Sequence, residues 1–213
     1  MSKKQALTEF HRGSILAAAE RLFAEKGIDK TTMDDIARES EYSKATLYVY
    51  FQSKEEIINA ILLSGLVLLQ RKLQEAMEGA SDWYGAYEGI CNAVIRYYGE
   101  RPEACGVLMS DVDEADDDHH HQDQEVRDIL RVRQAIGVML RDFLRRGVRE
   151  GVIHLAMTPE ETVLLFWSAL EGMVRMAGLR ENYLSRQIGS GREAFLRHGC
   201  QMLLDSITHA NHQ

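Results

Sequence analysis

Lys44 and Lys54 each stand in the first turn of a segment with helical spacing, and Thr46, Tyr48 and Tyr50 lie between them. A cation there opposes the positive end of the helix dipole, at a cost of a few tenths of a kcal/mol. An anion reverses the sign, because the free backbone N–H groups, the dipole and the ammonium then all favour it. The chemistry this pattern supports is anion contact. Lys54 reads as a phosphate anchor. Lys44 reads the same way or reaches a base edge. Between them Leu47 and Phe51, four apart, point inward against Ile36 and Ala37. Lys44, Ala45, Thr46, Tyr48, Val49 and Tyr50 are left outward, as a groove-facing surface or its edges. Exposed aromatics on so short a helix usually have a partner. For Tyr48 the alternative is a ring packed on the bundle with its hydroxyl at the rim.

These side chains must be held by short capped helices. A first helix is expected over about 8–26, with Ile15, Ala19, Leu22 and Phe23 on one stripe and Gly27 as its stop. The second begins after Thr32, whose hydroxyl caps while Asp35 sits three residues on. Asp35 is thereby a cap ligand; Asp34 has no assignment. The third begins after Ser43, and the fourth after Ser53, with Glu56 completing a second box and the helix running to about Met77. Five further helices are expected near 82–101, 103–111, 124–150, 158–179 and 189–209. The clearest start is Thr158-Pro159-Glu160-Glu161, and Gly151 ends the long segment before it. No strand-type alternation of useful length and no internal repeat is present.

The runs Thr32-Met33-Asp34-Asp35-Ile36-Ala37, Ser43-Lys44-Ala45-Thr46-Leu47-Tyr48-Val49-Tyr50-Phe51 and Ser53-Lys54-Glu55 resemble the TetR (tetracycline repressor-like) family of bacterial regulators. The resemblance is strong over about 9–60 and weak beyond. It implies an all-α fold: a three-helix DNA-binding head with a helix-turn-helix, residues 1–53, then a larger helical effector-binding and dimerisation domain, residues 54–213, about nine helices in all. By position, Thr46, Tyr50 and Lys54 would contact phosphates. Lys44, Ala45, Tyr48 and Val49 would face bases, with Lys44 toward guanine O6/N7 and Ala45 or Val49 toward thymine methyls. The chain departs from the family in the turn: Ser40 and Glu41 replace a small residue and glycine, and Tyr42 replaces a common valine. Glu41 must then adopt the conformation glycine usually supplies, at a cost of roughly 1 kcal/mol.

Composition agrees once it is divided. The net charge of −8 looks wrong for a DNA binder, but residues 1–54 carry nine Lys/Arg against eight Asp/Glu, and residues 55–213 carry 16 against 25. Local placement of cations decides phosphate contact, and an acidic body helps orient the head. Cys91, Cys105 and Cys200 have no metal-type spacing and fit reduced thiols. With no signal-type amino terminus and no run of about 18 apolar residues, a cytoplasmic protein without a membrane span is expected.

Segments 158–179 and 189–209 are the candidate dimer interface. The first is apolar on most of its circumference, and such a helix must be buried on all sides; Gly172 and Gly199 would permit close helix approach. The alternative is a purely intrachain core. Trp83, Tyr84, Tyr87, Cys91, Tyr98, Met109, Met139, Phe143, Trp167 and Met173 are candidates for an apolar effector pocket, or simply core. Segment 111–125 holds eight acids and three histidines with no base, and reads as a solvated loop. His119, His120 and His121 are weak candidates for a metal, with Asp116, Asp117 or Asp118 helping. No cofactor is expected.

The expected function is a ligand-responsive transcriptional regulator. It would be a homodimeric repressor on a palindromic double-stranded DNA operator, released by a small hydrophobic or aromatic effector. The alternatives are a metal-responsive regulator using His119–His121, or a helical small-molecule-binding protein without sequence-specific DNA binding. A nonspecific DNA-packaging role conflicts with the acidic body. No nucleophile elbow, phosphate-binding glycine loop or His-Glu-x-x-His run supports an enzyme, and His154 and His198 are isolated.

Overall fold

The computed structural model describes residues 2–100 and 124–208. Among them every element is helical: α1 (Lys3–Lys26), α2 (Met33–Glu39), α3 (Lys44–Tyr50), α4 (Lys54–Glu78), α5 (Trp83–Glu100), α6 (Gln124–Arg149), α7 (Pro159–Leu179), a short α8 (Glu181–Tyr183) that runs on as a π-helical turn (Leu184–Ile188), and α9 (Arg192–Thr208). The expected helix at 103–111, Cys105, Met109 and His119–His121 lie outside the described residues.

The chain forms two compact units. The described part of the first is residues 2–66 and 124–130. Its core is Ile15, Ala19, Phe23, Ile36, Ala37, Leu47, Phe51, Ile57 and Ala60, contributed by the faces of α1 to α4 that the periodicity picks out. α1 starts five residues earlier than expected. Its first turns bury nothing and are made by a capping box, with Ser2 Oγ accepting from Gln5 N–H and Gln5 Oε1 from Ser2 N–H. Thr32 and Asp35 form the expected box at α2. At α4, Ser53 Oγ accepts from Glu56 N–H, but Glu56 reaches back one residue further and takes Gln52 N–H.

The second unit holds the rest, with α7 packed on α5 and α9. Trp83 is stacked on Phe143 with centroids 4.6 Å apart and donates Nε1–H to the Phe143 carbonyl at 3.2 Å. Gly147 lies against that indole, where a Cβ would come within 2.6 Å of Nε1. Thr158, Pro159 and Glu161 make the capped start of α7 as their order predicts.

Within one chain α7 is buried on one face only. α7 buries a face that includes Leu170, Val174 and Ala177, while Leu164, Leu165 and Leu179 are 63%, 53% and 77% exposed. Of the two interface glycines, Gly199 seats the Met173 thioether, and Gly172 has open space over its α-carbon. By length and composition alone α7 could cross a membrane, contrary to the reading that no segment could. It carries the buried carboxylate of Glu171, however, and packs on α5 and α9.

Candidate functional site

α3 is two turns long, and its orientation is set by two side chains. Leu47 and Phe51 are fully buried, so Tyr48 and Val49 between them point away from the core, while Tyr50 packs partly against it. Val49 is 73% exposed, and Lys44, Ala45 and Tyr48 are exposed beside it. Thr46 and Tyr50 are half-buried at the edges. Ser43 caps the helix, accepting from Thr46 N–H at 3.1 Å and sharing a 2.8 Å hydroxyl contact with Thr46 Oγ1.

Electrostatics at this face involve carboxylates that periodicity does not connect to α3. Asp34, the residue without an assignment, has Oδ1 2.7 Å from Lys44 Nζ. Its hydrogen bond and charge hold that ammonium above the ordinary lysine range. Asp35 is bound by Lys26 Nζ at 2.6 Å and Arg38 at 2.7 Å as well as by Thr32. The Lys26 hydrogen bond, then those of Thr32, keep its carboxyl far below the usual aspartate range.

Lys54 has internal partners that the dipole argument did not foresee. Its ammonium donates to the carbonyls of Ile28 at 3.0 Å and Thr31 at 3.2 Å, pinning the α1–α2 loop to the start of α4. Buried Thr31 completes that clamp by donating Oγ1–H to the Gly27 carbonyl. Of the three ammonium N–H donors, one is left for an external anion.

Arg12 is absent from the sequence-based site. It donates to the Tyr50 carbonyl at the end of α3 (2.8 Å) and to Glu125 Oε1 (2.7 Å), and stands over the Phe51 ring with its central carbon 4.1 Å from the centroid. Glu125 lies in the first turn of α6, so the end of the segment read as a 111–125 loop is helical. Tyr42, in place of valine, has its hydroxyl 2.6 Å from His11 Nδ1. No local pattern announces either contact: the partners are 113 and 31 positions apart.

In the second unit, Tyr87, Cys91, Phe143 and Trp167 come together on the wall of a small apolar cavity of about 50 Å³. The aliphatic side chains of Ile90, Val94, Leu140 and Leu170 make much of the rest, and their helical spacing is the same as that of ordinary core residues. Trp83 stands behind Phe143, Met139 is off the wall, and Met173 faces Gly199 instead. Buried Tyr98 meets Trp167 edge-on, and Tyr84 is about half exposed.

Residues 15–61 match the model for bacterial regulatory proteins of the tetR family. The chain is 40% identical over 72 residues to YfiR, an uncharacterised HTH-type regulator of Bacillus subtilis, but that match spans only 34% of this chain and 35% of YfiR. The HTH-type transcriptional regulator UidR of Escherichia coli is 31% identical over 163 residues, covering 74% of this chain and 79% of UidR. The chain belongs to the TetR family. Its fold agrees with the TetR family regulator PfmR of Thermus thermophilus, at a TM-score of 0.67 and 27% identity over 89% of this chain and 96% of that one.

Within the TetR frame the unusual turn is accommodated as its residues require. Among the described residues Glu41 is the one non-glycine at positive φ, 61°. It takes the left-handed position while Tyr42 N–H donates to the Ala37 carbonyl.

Proposed function

We propose that this chain is a homodimeric transcriptional repressor that reads a palindromic operator and is released by a small apolar effector. The observation that carries the reading is α3 itself. Two fully buried anchors, Leu47 and Phe51, turn Lys44, Ala45, Tyr48 and Val49 outward on a rod short enough to lie in a major groove. In this reading Thr46, Tyr50 and the remaining N–H of Lys54 hold phosphates at the rim.

One α3 covers too few base pairs for useful specificity, so two copies are needed. Leu164, Leu165, Met176 and Leu179 of α7, with Met202 of α9, are exposed, and in this reading they are the apolar surface on which the second copy packs. The proposed division of labour is a head at 1–53 and an effector and dimerisation domain at 54–213.

The cavity on α5, α6 and α7 holds about a third of the roughly 150 Å³ that admits benzene. A one-ring effector requires those helices to part, and the chain of α6 continues from the cavity wall into the first unit. The effector acts by favouring the parted arrangement, a coupling free energy between the two sites. A wall of Ile90, Val94, Phe143 and Leu170 selects an apolar or aromatic molecule.

The test is selection of bound sequences from random duplex DNA, followed by sedimentation. The expected result is an inverted repeat bound by two chains. Tyr48→Ala should shift base preference, and Leu164→Glu should yield a helical monomer that has lost the site. Equal affinity for scrambled DNA at moderate salt overturns the reading.

A further inference from the structure

Cys91 on α5 and Cys200 on α9 are both free thiols, both buried, and both on the wall of one cavity. α5 and α9 are tied beside the thiols. Tyr87, one turn before Cys91 on the same face of α5, donates its hydroxyl to the Cys200 carbonyl at 2.9 Å. Gly199 lets the Met173 side chain of α7 sit directly against α9, where any Cβ would collide with the thioether. The cavity both thiols line is about 670 Å³, between α5 and α9, and its walls include Asp82, Tyr84, Glu88 and Arg197. Small polar molecules therefore have a route to sulfurs that are otherwise covered.

We propose that Cys91 and Cys200 are a peroxide-reactive pair that closes to an intrachain disulfide between α5 and α9. The two thiols influence each other in opposite directions: Cys200 and burial push the Cys91 thiol up, while Cys91 draws Cys200 below the ordinary thiol value, so Cys200 is the nucleophile. Cys200 sulfur attacks the distal oxygen of a hydroperoxide. The S–O bond forms, the O–O bond breaks, and the alcohol or water leaves with the thiol's proton. Cys91 sulfur then attacks the Cys200 sulfenic acid: the S–S bond forms, the S–O bond breaks, and hydroxide leaves with the Cys91 proton as water. Two thiols are oxidised and one peroxide is reduced.

The test uses the full chain, reduced and then treated with hydrogen peroxide. Residual thiols are alkylated in denaturant before tryptic digestion and mass spectrometry without reductant. The expected product joins peptides 73–96 and 198–213, two hydrogens lighter than their sum, and disappears on reduction. Cys105 falls on its own peptide, 97–127. Cys91→Ser should stop at a sulfenic acid on Cys200 that dimedone traps, and Cys200→Ser should leave Cys91 fully alkylatable. A cross-link through Cys105, or complete alkylation of Cys91 and Cys200 after peroxide, overturns the proposal. The readout is a covalent bond and is independent of whether the chain binds an operator.

Discussion

Lys44 Nζ lies 2.7 Å from Asp34 Oδ1, so the leading cation of α3 is already held by a carboxylate of α2 and any external anion must compete for it. Both partners are more than half exposed, and such a pair contributes little to folding. Its consequence falls on binding. Asp34→Asn should tighten DNA binding severalfold, steepen the dependence of log affinity on log salt by about one unit, and leave the thermal midpoint unchanged. Fluorescence anisotropy across a salt series checks this. Unchanged affinity would show that Lys44 stays off the duplex.

Lys54 predicts a double effect. Lys54→Ala should weaken binding to every sequence about equally and flatten the salt slope by about one unit. It should also destabilise the head by about 1–2 kcal/mol, because the carbonyls of Ile28 and Thr31 lose a charged donor. Denaturant unfolding measures the second effect and a salt titration the first. A changed base preference at undiminished affinity would remove the phosphate role.

Glu41 holds a φ of 61° without glycine's freedom. Glu41→Gly should stabilise the chain by up to about 0.5 kcal/mol, the relief of roughly 1 kcal/mol of left-handed strain less the entropy glycine adds to the unfolded chain. Urea unfolding with an unchanged m-value is the check.

Asp35 gives a pH dependence with a definite sign. Its folded carboxyl titrates below the ordinary aspartate value of about 3.9. The unfolded chain therefore takes up the proton first. The stabilisation is fully present above that value and is lost as pH falls from it toward the folded one. Unfolding followed from pH 6 to pH 2 should show this loss, and Asp35→Asn should show less of it while starting from lower stability.

Most helices and several of their caps are readable from the residues because their causes are local. Thr32 with Asp35, Thr158 with Glu161, and Gly27 and Gly151 at helix ends act within four positions. The burial of Leu47 and Phe51 follows from a spacing of four on a rod. Even the strain at Glu41 was visible as a missing glycine. Long-range partners carry no such signature. Nothing within a few residues of Arg12 names Tyr50 or Glu125, and nothing beside Lys54 names Ile28. The unassigned Asp34 finds Lys44 only once α2 and α3 are folded against each other. The pocket reading fared similarly: aromatic side chains mark an apolar interior, but only packing decides that Phe143 and Trp167 line the cavity while Met173 fills the space over Gly199. Pattern thus specifies what each helix presents. Tertiary structure decides which charges cancel, which carbonyls find donors and which thiols meet, since those depend on distances between segments that sequence order does not encode.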